Sequence, residues 1–362
     1  MMNSNYAVIM AGGVGSRFWP MSTRNMPKQF LDVMGCGETL IQQTFRRIKS
    51  VCPVDNIYIV TNLDYKATCL SQIPEINESN VLCEPVRRNT APCIAYASYK
   101  IFAKDNNARM IVLPSDHLIL NENEFVNTIM LCLEKSEKKN SLITLGINPT
   151  GPETGYGYIQ YLPEENVGMS LIRKVKTFTE KPDRKTAIQF ISSGDFLWNS
   201  GIFIWKAKSI ISAIKYYLSD MHEIFHEGID LYNTNNESKF IDRVFPMCKN
   251  ISIDYGVLEK SMDVYVCPSK FGWSDIGTWG SLSNHIEKDV NNNSQTSKSI
   301  HFYDSVNNIV RVSRDKLCVI QGLDGYIVVE TDKVLLICKK QDEQNVKDIV
   351  KDLSLQYGEE YV

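Results

Sequence analysis

Short apolar runs and segments of helical periodicity take turns along the first 145 residues of this 362-residue chain. The runs 6–10, 57–61, 81–83, 110–113 and 142–145 are strand-like. Between them, residues 39–50, a segment carrying Ala91, Ile94, Ala95, Ser98, Ile101 and Phe102, and residues 124–138 place apolar side chains three and four apart, the spacing of one helix face. Thr39-Leu-Ile-Gln42 has the form of a capping box at the start of the first helix. Strands joined by helices of this length call for an α/β fold: a parallel sheet covered on both faces, with ligands held beyond the C-terminal ends of the strands.

The polar clusters fall at those ends. The first, residues 11–30, reads AGGVGSRFWPMSTRNMPKQF. Glycines let a backbone turn with its N–H groups exposed, and such a nest with Arg17 and Lys28 suits phosphate oxygens. A Gly-rich turn after a first strand is also ordinary punctuation. Two familiar nucleotide loops do not match. Phe18 stands where a dinucleotide fingerprint starting at Gly13 needs its third glycine, and no Gly-Lys pair occurs for a P-loop. Glu84, Arg88, Asn89 and Asp116 follow later strands, and a parallel sheet would bring them to the rim that carries Arg17. That convergence favours the anion site.

Further on, glycine or proline accompanies a polar group in Gly155-Tyr-Gly-Tyr158, Phe178-Thr-Glu180-Lys181-Pro182, Trp198-Asn199-Ser-Gly201, ISIDYGVLEK from Ile251, and Trp273-Ser-Asp275. Asp116 and Asp275, beside a basic loop, suit a Mg²⁺ ion that takes few protein carboxylates and completes its shell with phosphate and water. Taken singly, each is more simply a solvated turn or a helix cap. If two phosphates react, their repulsion is the barrier. Arg17 can clamp one in a fork and Lys28 add a point charge, the positioning-plus-electrostatics pattern of phosphoryl transfer. A phosphate monoester has its second pKa near 6, so as a nucleophile it needs no general base. Glu180 can accept from adjacent sugar hydroxyls and Lys181 can hold a phosphate, although a surface Glu-Lys pair before proline is the plainer account. Asn199 can serve a hydroxyl or fix a turn.

His222-Glu-Ile-Phe-His226 matches the His-Glu-x-x-His zinc pattern. Its extension fails, since Ile229 and Tyr232 stand where glycine and histidine belong. Glu237 is a conceivable third ligand, but two histidines on an exposed, short helix are the expected state.

A formal charge of −3 leaves no basic excess for nucleic acid. No apolar run approaches the roughly 18 residues of a membrane span, and the N-terminus lacks a signal peptide, so a cytoplasmic location without membrane association is expected. The ten cysteines include no Cys-x-x-Cys spacing and are expected as reduced, buried thiols. The polar stretch 291–299 marks a boundary, giving expected domains 1–290 and 291–362. Five short strand-like runs between 300 and 338 and an amphipathic helix over 343–353 make the second a small β-rich module.

Taken together, AGGVGSRFWPMS with PKQF, EPVRRNTAP, LPSDH, GYGYI, FTEKP, WNSGIF, IDYGVLEK and WSDIGTW occur in one order from residue 11 to residue 279. This set resembles the mannose-1-phosphate guanylyltransferases, within the sugar-phosphate nucleotidyltransferases. The tail, with GLDGYIVVETDKVLLICKK, looks like the family's too. The resemblance implies a Rossmann-like nucleotidyltransferase domain with a mostly parallel sheet and a small β-helix-like C-terminal domain. It implies formation of GDP-mannose and pyrophosphate from GTP and mannose 1-phosphate with Mg²⁺, in a homodimer. By position, Ala11, Gly12, Gly13, Gly15 and Ser16 with Arg17 and Lys28 would handle the triphosphate. Glu84, Arg88, Asn89 and Thr90 would frame guanine and ribose, Asp116 and Asp275 would hold the metal, and Gly155, Glu180, Lys181 and Asn199 the sugar phosphate. Met26, Val86 and Gly256 depart from the usual pattern. Bifunctional relatives carry a further isomerase domain that this chain is too short to include, so transferase activity alone is expected. Another hexose or heptose phosphate, or an idle sensing subunit, are the alternatives.

Overall fold

The alternation takes shape in the computed structural model, which describes residues 4–13, 15–138, 141–162, 171–295, 299–313 and 315–362, the side chain of residue 138 excepted. The strands are β1 (Asn5–Met10), β2 (Ile57–Asn62), β3 (Val81–Glu84), β4 (Arg109–Pro114), the two-residue β5 (Leu118–Ile119), β6 (Leu142–Ile147), β7 (Gly157–Tyr161), β8 (Arg173–Glu180), β9 (Phe196–Lys206) and β10 (Val264–Ser269). The helices among them are α1 (Leu40–Ile48), α2 (Lys66–Gln72), α3 (Thr90–Lys104), α4 (Glu122–Lys138), α5 (Arg184–Ser193), α6 (Ala207–Tyr217), α7 (Ser219–His226) and α8 (Glu237–Val244). By contacts the chain forms two compact units, one of Met1–Gly12, Thr44–Ser115 and Ile119–Trp273, the other of Gly13–Gln43, Asp116–Leu118 and Ser274–Val362.

The first unit is built on a nine-stranded sheet, ordered β3-β2-β1-β4-β9-β6-β10-β8-β7 among the described residues. Its first four strands are parallel, as the alternation requires. From there it becomes mixed: β9 runs antiparallel to both β4 and β6, β6 and β10 are parallel, and β7 pairs with β8 as an antiparallel hairpin, which needs no crossover helix. β1, β2 and β4 are buried almost end to end because the sheet is covered on both faces. At α1 the Thr39 N–H donates to Gln42 Oε1 at 2.9 Å, a bond of the expected capping box. α3 is buried on every residue from Ala91 to Ile101, so it is a core helix rather than the one-faced helix its spacing suggests.

In the second unit β11 (Trp273–Ser274) leads by way of α9 (Trp279–Ser283) to β12 (Ser294–Gln295), β13 (Ile300–Tyr303), β14 (Ile309–Arg311), β15 (Cys318–Gln321), β16 (Tyr326–Glu330), β17 (Leu335–Lys339) and α10 (Val346–Tyr357). β12, β14 and β16 pair in parallel, as do β13 and β15, which coils the chain into a short β-helix. Ile300, Val310, Ile320 and Val328 fill the coil. A buried asparagine ladder holds its corners: Asn293 Oδ1 accepts from the Asn308 N–H and side chain, and Asn308 Oδ1 accepts from the Tyr326 N–H. A second core joins Phe18, Trp19 and Trp279 to Ile309, Ile327 and Val346. No helix of the described residues is long and apolar enough to cross a membrane.

Candidate active site

In the second unit, the glycine-rich segment turns at Gly15, whose φ of 66° and ψ of 35° are left-handed. A Cβ there would lie 2.7 Å from Lys28 Cβ, so backbone freedom and close approach both call for glycine. Ser22 Oγ donates to the Gly15 carbonyl at 2.6 Å, and Gln29 Nε2 donates to the Gly13 carbonyl at 3.0 Å. A 3₁₀ turn over Ser16–Phe18 follows. It leaves Arg17 exposed, with no hydrogen bond or ion pair to another described residue. Val14 lies outside the described residues.

Lys28 is only 4% exposed. Its ammonium binds Asp116 Oδ2 at 2.8 Å and donates to the carbonyls of Asp275 at 2.7 Å and Ile276 at 3.0 Å, which engages all three donors. One cation thus ties together the two aspartates expected to hold metal. Ile276 is a buried β-branched residue at φ 42°, a strained backbone that the ammonium helps to hold. Burial pushes the Asp116 carboxyl up, but Lys28 and His117 more than offset it, so the group sits below its ordinary range and is a carboxylate at neutral pH. Asp275 Oδ1 accepts from the Gly277 N–H at 3.0 Å.

In the first unit, Ala11 is fixed by its N–H to the Val60 carbonyl and by Thr61 Oγ1 to its own carbonyl. Glu84 is buried at the end of β3, and a Cβ on Gly12 would lie 3.5 Å from its Oε2. Burial raises its carboxyl to about 8, against smaller opposing effects of Cys93 and Arg87. Glu84 is therefore neutral at pH 7, which moderates the cost of Oε1 having no partner among the described residues. Arg88 turns to the Pro246 carbonyl at 2.8 Å. Exposed Asn89 caps α3 through the Thr90 N–H, with φ 67° and ψ −170°, a region otherwise kept for glycine. Thr90 Oγ1 accepts from the Ile253 N–H.

The sugar-phosphate candidates of this unit form a tighter group. Glu180 ends β8 with its side chain 10% exposed, and Lys181, at φ 47°, sends its ammonium to Glu180 Oε1 at 3.2 Å. Asn199 lies within β9, where the register against β6 shifts between Thr144 and Gly146. Such a bulge re-aims a side chain. Its Oδ1 accepts from Thr144 Oγ1 at 2.9 Å and from the Gly201 N–H at 3.2 Å. Its Nδ2 donates to Asp254 Oδ1 at 2.9 Å. Asp254, quoted in the IDYG motif but given no role there, opens a π-helical turn over Asp254–Leu258, a feature common at functional sites. Burial and the neighbouring Glu180 raise its carboxyl to about 7. Burial likewise raises Glu180, with Lys181 opposing and Glu259 reinforcing. Gly157, also without a role in the motif, is where space is short: a Cβ would lie 2.5 Å from Glu180 Oε2 and 3.2 Å from Asn199 Cβ. Gly155 has open space where its Cβ would be.

The histidine pair departs from expectation. His226 is exposed on α7, but His222 is buried, and its Nδ1 shares a hydrogen bond with the Tyr99 hydroxyl. Burial lowers the His222 pKa. Glu237 accepts instead from Tyr96, Lys100 and the Asn233 N–H in a buried network. No group of three or more metal-ligating side chains occurs among the described residues, and His222 and Glu237 are taken up in packing and hydrogen bonds instead.

The profile described as nucleotidyl transferase matches residues 6–292, and that of the MannoseP isomerase/GMP-like beta-helix domain matches residues 302–353. A mannose-1-phosphate guanylyltransferase of Salmonella montevideo is 36% identical over 361 residues, covering 98% of this chain and 75% of that protein. The alginate biosynthesis protein AlgA of Pseudomonas aeruginosa is 34% identical over 352 residues, covering 96% of this chain and 72% of that protein. A crystal structure from Thermus thermophilus, described as a mannose-1-phosphate geranyltransferase, superposes with a TM-score of 0.85 at 28% identity, over 97% of this chain and 99% of that one.

Proposed function

The chain belongs to the nucleotidyl transferase family, and from that membership we propose that it joins GTP and mannose 1-phosphate into GDP-mannose and pyrophosphate. The observation that carries the chemistry is the Lys28 ammonium, which holds Asp116 and the Asp275 backbone together beside a loop with an exposed Arg17. In the proposed reaction a phosphate oxygen of the sugar phosphate forms a bond to the α-phosphorus of GTP, in line with the α–β bond that breaks, and pyrophosphate leaves. The nucleophile is already mostly dianionic, so the protein need supply no base.

The Asp116 carboxylate and the Asp275 side chain are hard oxygen donors, the first held ionised, and so fit Mg²⁺. Bound there, the ion would supply charge neutralisation. Arg17 receives phosphate oxygens in its guanidinium fork. Lys28 acts through the residues it touches, keeping Asp116 charged and the strained Asp275–Ile276 backbone in place. The backbone of Gly12, Gly13, Gly15 and Ser16 offers N–H groups to the triphosphate, and Glu84 to Thr90 frame base and ribose. On the sugar side, Glu180 and Asn199 take hydroxyls, Lys181 takes the phosphate, and Gly155 contributes backbone. The domain division at 290/291, a homodimer and a cytoplasmic location remain part of the proposal. A pyrophosphate-release assay crossing the common nucleoside triphosphates with a panel of sugar 1-phosphates, with and without Mg²⁺, tests it. GTP with mannose 1-phosphate should be the best pair, and no release from any pair refutes the proposal.

A further inference from the structure

Asn199 is held at both ends of its amide. The Gly201 N–H can only donate, so the edge it meets must be Oδ1, and Thr144 donates to the same oxygen. Nδ2 is thereby turned to Asp254, to which it donates one of its two protons. Glu180 stands close enough to Asp254 for its charge to raise that carboxyl's tendency to keep a proton. Among the described residues the ionisable groups bearing on Asp254 are Glu180 and Lys181, and Glu259 bears in turn on Glu180, whose N–H it accepts at 3.0 Å.

We propose that Asp254 is a positioning residue for the sugar phosphate, orienting the Asn199 amide and setting the charge that the ligand meets at Glu180 and Lys181. This rests on the function proposed above. With a proton on Asp254, the group of Glu180, Lys181 and Glu259 presents one negative charge fewer to a dianionic phosphate. Once Asp254 ionises, near pH 7, the added negative charge opposes the same ligand. The KM for mannose 1-phosphate therefore rises with pH above 7, by a factor on the order of ten for one added charge at close range.

The test compares the full chain with Asp254→Asn, which keeps the shape and cannot ionise, and with Thr144→Val, which frees the amide without touching the charge. KM for mannose 1-phosphate, KM for GTP and kcat are measured from pH 6.5 to 8.5, with calorimetric binding of mannose 1-phosphate and a melting curve for each protein. Asp254→Asn should match wild type at pH 6.5 and bind the sugar phosphate about tenfold more tightly than wild type at pH 8.5. Thr144→Val should raise that KM by the same factor at every pH. A wild-type KM that is flat across the range, an Asp254→Asn profile parallel to wild type, or equal changes in KM for GTP overturn the proposal. If wild type alone neither binds mannose 1-phosphate nor releases pyrophosphate, the proposed function falls before any variant is made. Should Asp254→Asn fail to fold, the wild-type pH profile and Thr144→Val still decide.

Discussion

Gly157→Ala separates the packing of the sugar-phosphate group from the packing of the fold. The new Cβ would stand 2.5 Å from Glu180 Oε2, 3.2 Å from Asn199 Cβ and 3.4 Å from Phe178 Cε1. An ordinary contact needs about 3.5 Å, so the Glu180 carboxyl must withdraw by about 1 Å. It is the end of a flexible side chain and can do so without disturbing β7 or β8, whereas Asn199 and Phe178 close the other directions. The fold should survive, with a melting midpoint close to wild type. Function should not, because a misplacement of this size costs up to about a hundredfold when it falls on a group that positions a reactant. The expected result is a fall in kcat/KM for mannose 1-phosphate of roughly ten- to a hundredfold, with KM for GTP little changed. Gly155→Ala is the comparison, since its Cβ meets nothing within 4 Å and cannot displace Glu180. Equal effects of the two substitutions, or a loss of stability in place of affinity, would refute the reasoning.

Lys28→Met strips one carboxylate and two carbonyls of a donor; with each buried acceptor worth about 1–3 kcal/mol, and solvent taking over part of the loss at Asp116, the net cost is about 3–5 kcal/mol. Denaturation in guanidinium measures it, and a loss under about 1 kcal/mol would show that the ammonium does not hold these groups. Arg17→Ala should leave the melting midpoint in place and lower kcat/KM for GTP by roughly ten- to a hundredfold, the worth of a charged hydrogen bond; unchanged kinetics would remove Arg17 from the phosphate site. Glu84 has a folded pKa of about 8 against an ordinary value of 4.5. The folded state therefore keeps a proton that the unfolded state loses, and its contribution is full below about pH 4.5 and is lost as pH rises to 8. Glu84→Gln should flatten that decline and exceed wild type in stability at pH 8, whereas parallel stability curves would show that Glu84 is ionised. His222→Ala should cost about 1–3 kcal/mol by orphaning the Tyr99 hydroxyl and leave turnover and metal content unaltered; stoichiometric zinc in wild type would reverse this assignment.

What was legible in the chain followed from local pattern. The parallel half of the sheet could be read because each of its strands is a short apolar run closed by a helix. The antiparallel half could not, because β9 runs eleven residues with one internal bulge and pairs with three strands distant in sequence. Likewise the glycine turn, Asp116 and Asp275 stand out as punctuation, but Gly157 and Asp254 matter only through what lies across from them. Gly157 is needed because Glu180 and Asn199 crowd it, and Asp254 because a π turn brings it to an amide already fixed from its other side. His222 shows the converse: a five-residue pattern read as ligands or exposed side chains, when Tyr99, far away in α3, takes up the first ring. At Lys28 the structure adds partners that residue type does not reveal. A lysine beside a glycine-rich turn suggests a direct phosphate contact, yet its three donors are committed to Asp116, Asp275 and Ile276. Its charge can still act on a phosphate at a distance, but its geometry acts on the protein, and substitution at Lys28 should therefore register in stability as well as in turnover.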